Sequence, residues 1–342
     1  MKNLIKSLLG FSNQTNEVKK GETMENMFCY QCEQAANGGC SKVGVCGKQP
    51  DVAALQDQLV YAMKGIAFWA NLAREKGAKD VEIDRFMLDG LFTTVTNVDF
   101  DVEETAKLVR DAAKNRDKAQ ALFEKANGGP FTGAVPEAAK AFTPGSTAEL
   151  IALGGQHGVK DDSIDADVKS VQEIIIYGMK GYAAYAHHAL VIGLESDEVY
   201  AFTHKALAAT LDKSLGLMDF VGLSMECGRI NLVTMELLDK ANTDSFGHPV
   251  PTPVQLGTKA GKAILVSGHD LRMLEELLKQ TEGKGINIYT HGEMLPAHGY
   301  PGLKKYAHLV GNFGGAWQDQ AKEFAGFPGA IIFNTNCIQR PA

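Results

Sequence analysis

The sequence predicts an α + α/β protein in which an all-helical domain of two duplicated three-helix bundles precedes a partial parallel α/β domain. Two observations predict this fold. A ten-residue helical pattern occurs twice, 116 positions apart, and near residue 248 long helical periodicity gives way to short apolar runs that alternate with helices. Internal repeats determine the architecture of a chain, and strand–helix alternation indicates a parallel sheet.

Composition is that of an ordinary globular protein. The 342 residues are 45% apolar and 22% charged, which is sufficient for two domains with their own cores. The formal charge of −7 opposes nucleic-acid binding, because that requires a basic surface. No apolar run is long enough to span a bilayer and no secretory signal is clear. We therefore expect a cytoplasmic protein without nucleic-acid or membrane partners.

The first 26 residues differ from the rest of the chain. A short apolar patch from Leu4 to Phe11 is followed by a polar stretch, and Met24 and Met27 are possible alternative starts. We interpret residues 1–26 as a disordered, dispensable extension or as the product of an upstream start site.

The helical domain is predicted over residues 27–248. Residues 61–70 read YAMKGIAFWA and residues 177–186 read YGMKGYAAYA, and the same offset aligns Phe86 with Phe202. We predict two bundles, at about 51–127 and 165–243, joined by a bridge rich in glycine and proline. The first helix begins at Asp51 and stops before Gly77, and the others are predicted at 82–97, 102–126, 167–194, 197–214 and 217–242.

The repeat places a glycine inside a helix in both copies. Gly65 and Gly181 each cost about 1 kcal/mol relative to alanine in a helix interior. Their recurrence predicts close helix packing at both positions. Lys64 and Lys180 precede them, and we expect both ammonium groups to extend to the surface on their aliphatic stems.

Four of the six cysteines are clustered. Cys29, Cys32, Cys40 and Cys46 form a C-x2-C-x7-C-x5-C pattern. Disulfides are a poor interpretation because nothing indicates export, and tight clustering favours a metal. Zinc ribbons present two separated C-x2-C pairs, whereas this segment has one pair followed by single cysteines in a glycine-rich loop that suits an iron–sulfur cubane. The spacing favours iron–sulfur over zinc and over inert thiols, and all three remain open.

The C-terminal segment, residues 249–342, is predicted to be an incomplete, Rossmann-like α/β domain. Residues 249–258 are interpreted as a linker or a crossing segment. Apolar runs predict strands, and helical periodicity separates them. The strands are predicted at 263–266, 286–289, 307–310 and 330–333, with helices at 271–280 and 316–324.

Three predicted strands are followed by side chains that can bind metal. His269 follows the first strand, Glu293 the second and Cys337 the fourth. Parallel sheets bind their ligands beyond the carboxyl ends of the strands, and imidazole, carboxylate and thiolate all ligate iron. The sequence therefore predicts a metal site of these three residues. Each has an ordinary alternative: a loop hydrogen bond for the histidine, a helix cap for the glutamate and burial for the cysteine.

Five other residues are weaker candidates. His291 and His298 flank Glu293 and are interpreted as supporting groups or proton donors rather than ligands. Cys227 lies in a predicted helix and is expected to be a buried apolar residue. His187 and His188 are expected to serve packing or a local hydrogen bond.

Four motifs in order resemble one known family. The segment M-F-C-Y-Q-C-E-Q…C…G-V-C-G-K at 27–48 is similar to the opening of the hybrid-cluster proteins, also called prismane proteins or hydroxylamine reductases. SGHD at 267–270, THGEMLPAHGYP at 290–301 and FNTNCIQ at 333–339 resemble that family's hybrid-cluster segments. The resemblance extends from about residue 27 to the end of the chain.

The resemblance implies two cofactors. The four N-terminal cysteines would hold a [4Fe-4S] cluster, and their short spacing is similar to the class that carries a cubane. His269, Glu293 and Cys337 would be three ligands of a hybrid iron–sulfur–oxygen cluster of the [4Fe-2O-2S] type, with His269 and Glu293 at the catalytic iron–sulfur centre. The family's remaining ligands are three further cysteines and a glutamate. This chain ends at Ala342 without them, so we expect a C-terminally truncated fragment.

The resemblance also implies an activity. The family reduces hydroxylamine to ammonia and water, with electrons from a donor protein, and is associated with nitrosative stress. One alternative is a nitric oxide reductase or protein nitrosylase of the same family. Another, for the fragment alone, is an electron-transfer module carrying only the cubane. A carbon monoxide dehydrogenase is disfavoured by the SGHD and GEMLPAHGYP segments.

Overall fold

The computed structural model describes residues 27–35, 38–158 and 163–340. The predicted extension at 1–26 lies outside these ranges. The described chain forms two compact units. The first contains residues up to 95, 99–184 and 196–234, and the second contains 96–98, 185–195 and the residues from 235 onward.

The predicted fold class is confirmed, since long helices are followed by a small parallel sheet. Each predicted helix of the two bundles is present, with ends that differ by at most five residues. The helices are α1 (Pro50–Glu75), α2 (Val81–Thr93), α3 (Val102–Asn127), α5 (Ala166–Val191), α6 (Asp197–Ala209) and α7 (Leu217–Phe246). The bridge between the bundles, predicted as loop, contains a further helix, α4 (Thr147–Gly154), which begins with a capping box between Ser146 and Glu149.

The first bundle packs around the aromatic end of α1. Trp69 lies 5.7 Å from the Phe123 ring on α3, measured between centroids. Its indole N–H donates to the carbonyl of Ala139, at 2.8 Å, in a short 3₁₀ turn of the bridge. The bridge thus closes over the bundle, which explains why it carries regular structure.

The second bundle repeats this arrangement with different contacts. The hydroxyls of Tyr182 on α5 and Thr203 on α6 are hydrogen-bonded at 2.7 Å. Cys227 on α7 is 4% exposed, and its thiol lies 3.8 Å from the carbonyl oxygen of Ile175 on α5. Burial raises the pKa of Cys227 to about 11. The prediction that this cysteine is a buried packing residue is confirmed.

The two repeat glycines differ in their surroundings. A Cβ on Gly65 would lie 1.9 Å from the carbonyl oxygen of Ala138, so the backbone of the bridge contacts α1 directly there. Gly181 is exposed, with no atom within 4 Å of such a Cβ. The prediction of close packing is right for Gly65 and wrong for Gly181.

The repeat lysines also depart from expectation. Lys64 is half-buried, but Lys180 is only 6% exposed, and its ammonium donates to the carbonyl of Thr94 at 3.3 Å. Burial lowers the pKa of Lys180 to about 8. The expectation that this ammonium reaches the surface is therefore wrong.

A buried charge network joins helices of the two bundles. Asp84 on α2 accepts from Arg74 on α1 and is hydrogen-bonded to His204 on α6, with both distances at 2.7 Å. The His204 side chain is fully buried. Burial lowers the pKa of His204, while the Asp84 carboxylate opposes that shift.

Replacing Asp84 by alanine leaves the fully buried His204 ring without its carboxylate partner and leaves the largely buried Arg74 guanidinium with only Asp197, at 2.9 Å. We expect the unfolding free energy to fall by about 3–5 kcal/mol, as for other broken buried ion pairs. Urea unfolding followed by circular dichroism measures this loss. The control is Glu226→Ala, which removes an exposed pair with Lys205 and should cost about 0–1 kcal/mol. Equal losses in both variants would contradict the importance of burial.

The second unit is built on a four-stranded sheet in the order β3-β2-β1-β4, with every pair parallel. Its strands are β1 (Lys262–Ser267), β2 (Ile286–His291), β3 (Leu309–Asn312) and β4 (Ala330–Phe333). The helices are α8 (Leu271–Thr281), α9 (Pro301–Lys304) and α10 (Gln320–Ala325). The predicted β3 was two residues too early, and the segment after β2 is a 3₁₀ helix, Gly292–Gly299.

One face of the sheet is buried under α8 and the 3₁₀ helix. The core there combines strand, helix and 3₁₀ residues, namely Val266, Leu274, Leu278, Ile288, Met294, Ala297 and Leu303. Within the described ranges, no helix is both long and apolar enough to cross a lipid bilayer.

Candidate metal centre

Three strand ends bring His269, Glu293 and Cys337 together. β1 lies between β2 and β4 in the sheet, so the carboxyl ends of all three strands are neighbours. One ligand atom from each residue lies within 4.8 Å of the other two. The imidazole, carboxylate and thiol thus lie close together at the carboxyl ends of the strands, where parallel α/β folds bind their ligands.

His269 is held at both its backbone and its ring. The backbone N–H donates to the side-chain oxygens of Asn334 at 3.0 Å and Thr335 at 2.8 Å. Ring Nδ1 is hydrogen-bonded to the same Thr335 hydroxyl at 3.1 Å. This leaves Nε2 to face Glu293 Oε2, which it contacts directly. A hydrogen bond at one ring nitrogen is how proteins orient the other toward a metal.

Gly268 allows this approach. Its φ is +127°, and a Cβ there would lie 1.9 Å from the Asn334 amide oxygen. Only glycine combines that backbone angle with such close contact. The chain after β1 therefore turns sharply enough for His269 to contact Asn334 and Thr335 in the loop that follows β4.

Glu293 and Cys337 are coupled to each other. The thiol lies 3.6 Å from the second carboxylate oxygen, Oε1. The contact with His269 lowers the pKa of Glu293, so the carboxyl is charged at neutral pH. Burial, reinforced by that carboxylate, raises the pKa of Cys337 to about 12. A bound metal ion would lower the pKa of Cys337, because metal ligation requires the thiolate and releases the proton.

Cys337 adopts a strained backbone. Its φ of +64° lies in the left-handed region, which costs a non-glycine residue about 1–3 kcal/mol. Buried Gln320 at the start of α10 holds it there, donating to the Cys337 carbonyl at 2.7 Å and accepting from the Gln339 N–H at 2.8 Å. Next to it, the Ile338 N–H donates to the carbonyl of Asn97, at 3.2 Å. Residues held in such strain cluster at functional sites.

The histidines near Glu293 in sequence are hydrogen-bonded to residues outside the cluster of three. His291 is fully buried and hydrogen-bonded to Ser267 at 3.0 Å and to Glu323 at 2.9 Å. His298 is hydrogen-bonded to Thr290 at 2.9 Å, and burial lowers its pKa. Both therefore stabilise the sheet edge, and neither is aimed at the cluster of three.

A histidine from the helical segment lies closer to the site. The ring of His188 stacks on His269, with centroids 5.9 Å apart and planes inclined by 20°. Burial, with the neighbouring His269, lowers the pKa of His188 to about 3, so the imidazole is neutral. The sequence prediction of a packing role for His188 fits this position, but its partner could not be read from the sequence.

The four N-terminal cysteines lie on one short loop of the first unit. Cys29 and Cys40 pair antiparallel through two backbone hydrogen bonds, at 3.0 and 2.7 Å. The Val45 N–H donates to the Cys40 sulfur, at 3.4 Å. Burial raises the pKa of Cys32, and the neighbouring Cys29 and Cys46 thiols add to that shift. None of the six cysteines, all of which are described, forms a disulfide.

The loop also buries a cation. Lys48 is 1% exposed, and its ammonium donates to the neutral amide of Gln56 at 2.6 Å. A buried charge is normally compensated by an opposite one. Thiolates around an iron–sulfur cluster carry net negative charge and would supply it. The donor set, the backbone N–H directed at sulfur and this lysine all fit such a group.

Comparison with known proteins identifies the family. The family model described as "Prismane/CO dehydrogenase family" matches residues 27–342. The chain belongs to this family. Proteins of the prismane family bind iron–sulfur clusters.

Relatives of the prismane chain share much of its sequence. It is 62% identical over 323 residues to "Hydroxylamine reductase" of Geobacter sulfurreducens, and 56% identical over 318 residues to the protein of that name from Syntrophobacter fumaroxidans. A third, from Methanocella arvoryzae, is 52% identical over 320 residues. Each match covers 92% of this chain but only 58% of the relative. The chain therefore spans somewhat over half the length of these relatives.

Proposed function

We propose that the chain carries the catalytic strand ends of a hydroxylamine reductase, which reduces hydroxylamine to ammonia and water. The observation that supports this most is the convergence of His269, Glu293 and Cys337 within 4.8 Å at the sheet edge. Relatives named hydroxylamine reductase are 50–62% identical over this part of their length. An electron-donor protein and a small nitrogenous substrate are the partners that this activity requires.

Two sets of residues would hold the cofactors. Cys29, Cys32, Cys40 and Cys46 would ligate a [4Fe-4S] cluster. The strand-end site would supply part of the ligand set of the hybrid cluster. When bound, these groups would supply electrons and a Lewis-acidic iron.

The chain's own residues would prepare the strand-end site. Thr335 fixes the His269 ring so that Nε2 faces the site, and Gln320 holds Cys337 in the conformation that brings its sulfur near Glu293. The Glu293 side chain is 61% exposed, so it can meet substrate as well as metal. Its carboxylate, charged at neutral pH, can accept a proton there, since acid–base groups act within hydrogen-bond reach of the reacting atoms.

The first experiment is an anaerobic count of iron and sulfide with EPR on the purified chain, beside the full-length relative from Geobacter sulfurreducens. About four irons per chain with a cubane signal would mean that the thiol loop assembles alone and the chain is an electron-transfer module. About eight irons with a second, hybrid-type signal would mean that the strand-end site also assembles. Iron-free protein that binds zinc in the thiol loop would overturn the proposal.

Replacing Glu293 by glutamine tests its role as a ligand. In the full-length relative, the equivalent change should lower turnover by at least about 100-fold, because even groups that only support a ligand cost 10–100-fold. Iron at the strand-end site should fall as well, since a neutral amide is a poor iron ligand. The matched control is Glu282→Gln, an exposed carboxylate in the same unit. Unchanged turnover and iron content in the Glu293 variant would remove this residue from the site.

A further inference from the structure

Two buried lysines are linked to the thiol loop of the first unit. Lys48 lies two residues after Cys46, in the loop itself, and Lys180 lies on α5 in the second copy of the repeat. Both side chains are buried. Burying an ammonium group is costly unless an opposite charge lies close to it. Two such cations beside one loop therefore require negative charge in its neighbourhood.

Lys48 is bound by neutral groups. Its ammonium donates to the Gln56 amide oxygen at 2.6 Å, and the nitrogen of that amide donates to the carbonyl of Thr93 at 3.3 Å. Thr93 is the last residue of α2. The cation is thus connected through a neutral amide to the C-terminal end of this helix.

Lys180 reaches the same helix end from the other copy. Its ammonium donates to the carbonyl of Thr94, the residue after α2, at 3.3 Å. Gln31, which lies between Cys29 and Cys32, donates its side-chain N–H to the same oxygen at 3.3 Å. One backbone oxygen thus joins the Lys180 ammonium to the segment that carries the first two cysteines of the loop.

Helix capping explains only part of this arrangement. α2 has no basic residue in its last turn, and a cation from elsewhere stabilises a helix C-terminus. However, Gln31 already donates to the Thr94 carbonyl, and Lys48 is hydrogen-bonded to Gln56 rather than to α2. A cap does not need a second buried ammonium.

The two ammonium groups repel each other. Within the described residues, neither is hydrogen-bonded to a carboxylate. Burial is the main cause of the lowered pKa of Lys180, and the charge of Lys48 lowers that pKa further. Asp57, Glu173 and Cys29 act in the opposite direction. The thiol loop is therefore one source of attraction for Lys180, and net negative charge on the loop would relieve the repulsion.

An iron–sulfur cluster would supply that charge in an amount that depends on its oxidation state. Thiolates around such a cluster give the loop net negative charge, and reduction adds one electron to it. Positive charge nearby stabilises the reduced form more than the oxidised form, because Coulomb attraction grows with the negative charge. Net charge is one of the quantities that set the reduction potential of these clusters.

Given the [4Fe-4S] cluster of the proposed function, on which this depends, we propose that Lys48 and Lys180 raise the reduction potential of that cluster by stabilising its reduced form. The second copy of the repeat would thus tune the cofactor held by the N-terminal loop. Lys64, at the equivalent position of the first copy, is half-buried, so the two copies differ in the environment of this lysine.

Redox titration of the purified chain, followed by EPR, measures the potential. Lys48→Gln and Lys180→Gln each remove the charge but keep an N–H that can donate to the same acceptor. Each should shift the one-electron reduction equilibrium about tenfold toward the oxidised form, which lowers the potential by about 59 mV. Unchanged potentials in both variants, with about four irons per chain, would overturn the proposal.

Lys107→Gln is the matched control. Lys107 is exposed on α3 and paired with Glu104, so its loss changes the net charge of the chain by the same amount. Solvent and salt screen an exposed charge, and the potential should therefore stay the same. An equal shift in this variant would mean that net charge sets the potential irrespective of burial, and would overturn the proposal.

Lys180→Met separates the charge from helix capping, because methionine removes the N–H donor as well. The Met and Gln variants of Lys180 should have the same lowered potential, although the Met variant should unfold at a lower urea concentration. A potential that is lowered in the Met variant and restored in the Gln variant would assign this lysine to capping and overturn its role in the potential.

A charged variant covers the case in which the neutral variants hold no iron. Lys180→Arg keeps the positive charge and should retain about four irons at the potential of the unchanged chain. Iron loss in this variant as well would overturn the proposal. An unchanged chain without iron would be a failure of the proposed function, whereas about four irons with unshifted potentials would be a failure of the tuning alone.

Discussion

Replacing Gly65 by alanine is expected to destabilise the helical unit by about 3 kcal/mol or more, because overpacking of this kind forces backbone to move. The new Cβ would lie 1.9 Å from the Ala138 carbonyl oxygen, and main chain cannot rotate away as a side chain can. The displaced bridge segment also carries the Ala139 carbonyl, which accepts from Trp69. Packing and a buried hydrogen bond would be lost together.

The repeat supplies a matched control for this change. Gly181 occupies the equivalent position in the second copy, where a Cβ meets no atom within 4 Å. Gly181→Ala should therefore stabilise the chain by about 0.5–1 kcal/mol through helix propensity. Urea midpoints of the two variants measure the difference. Similar effects at both positions would contradict the close approach of the bridge to α1.

Loss of one thiol from the N-terminal loop is expected to remove about four irons per chain, since each cubane iron needs its own thiolate. Cys32→Ser tests ligation with little effect on packing, because serine nearly keeps the volume of the side chain but is a poor iron ligand. Anaerobic iron analysis and the EPR signal of the reduced protein measure the loss.

Cys227→Ala is the control for this substitution. That thiol is buried in the second bundle, away from the loop in sequence, and packs near the Ile175 carbonyl. Iron content should stay unchanged in this variant. Equal iron loss in both would indicate general instability, and full iron content in Cys32→Ser would remove that residue from the ligand set.

Much of the fold could be predicted because its signals are local. Helical periodicity and the 116-residue offset predicted the six long helices, and apolar runs predicted the four strands. The sequence prediction missed α4, because the glycines and prolines of the bridge favoured a loop, although Ser146 and Glu149 have the spacing of a capping box. Propensity was overridden there by packing of α4 against α1, where Gly154 meets the Ala54 carbonyl.

The site could be predicted only in part. Strand order places three strand ends side by side, so His269, Glu293 and Cys337 were predictable as neighbours. The residues that hold them act over long sequence distances. Gln320 and Asn97 carry no motif, and their hydrogen bonds to the Cys337 loop exist only in the folded chain. The repeat glycines show the same limit, since the shared Met-Lys-Gly sequence has different neighbours in the two copies.

The buried network around Asp84 bears on how the duplicated halves fold. Its carboxylate is shared by Arg74 from the first copy and His204 from the second. Separating the copies would leave the buried His204 ring without its carboxylate partner and Arg74 without its second partner, Asp197, and an unsatisfied buried polar group costs about 1–3 kcal/mol. The duplication has thus produced one cooperative folding unit, in which the two halves are expected to melt in a single transition.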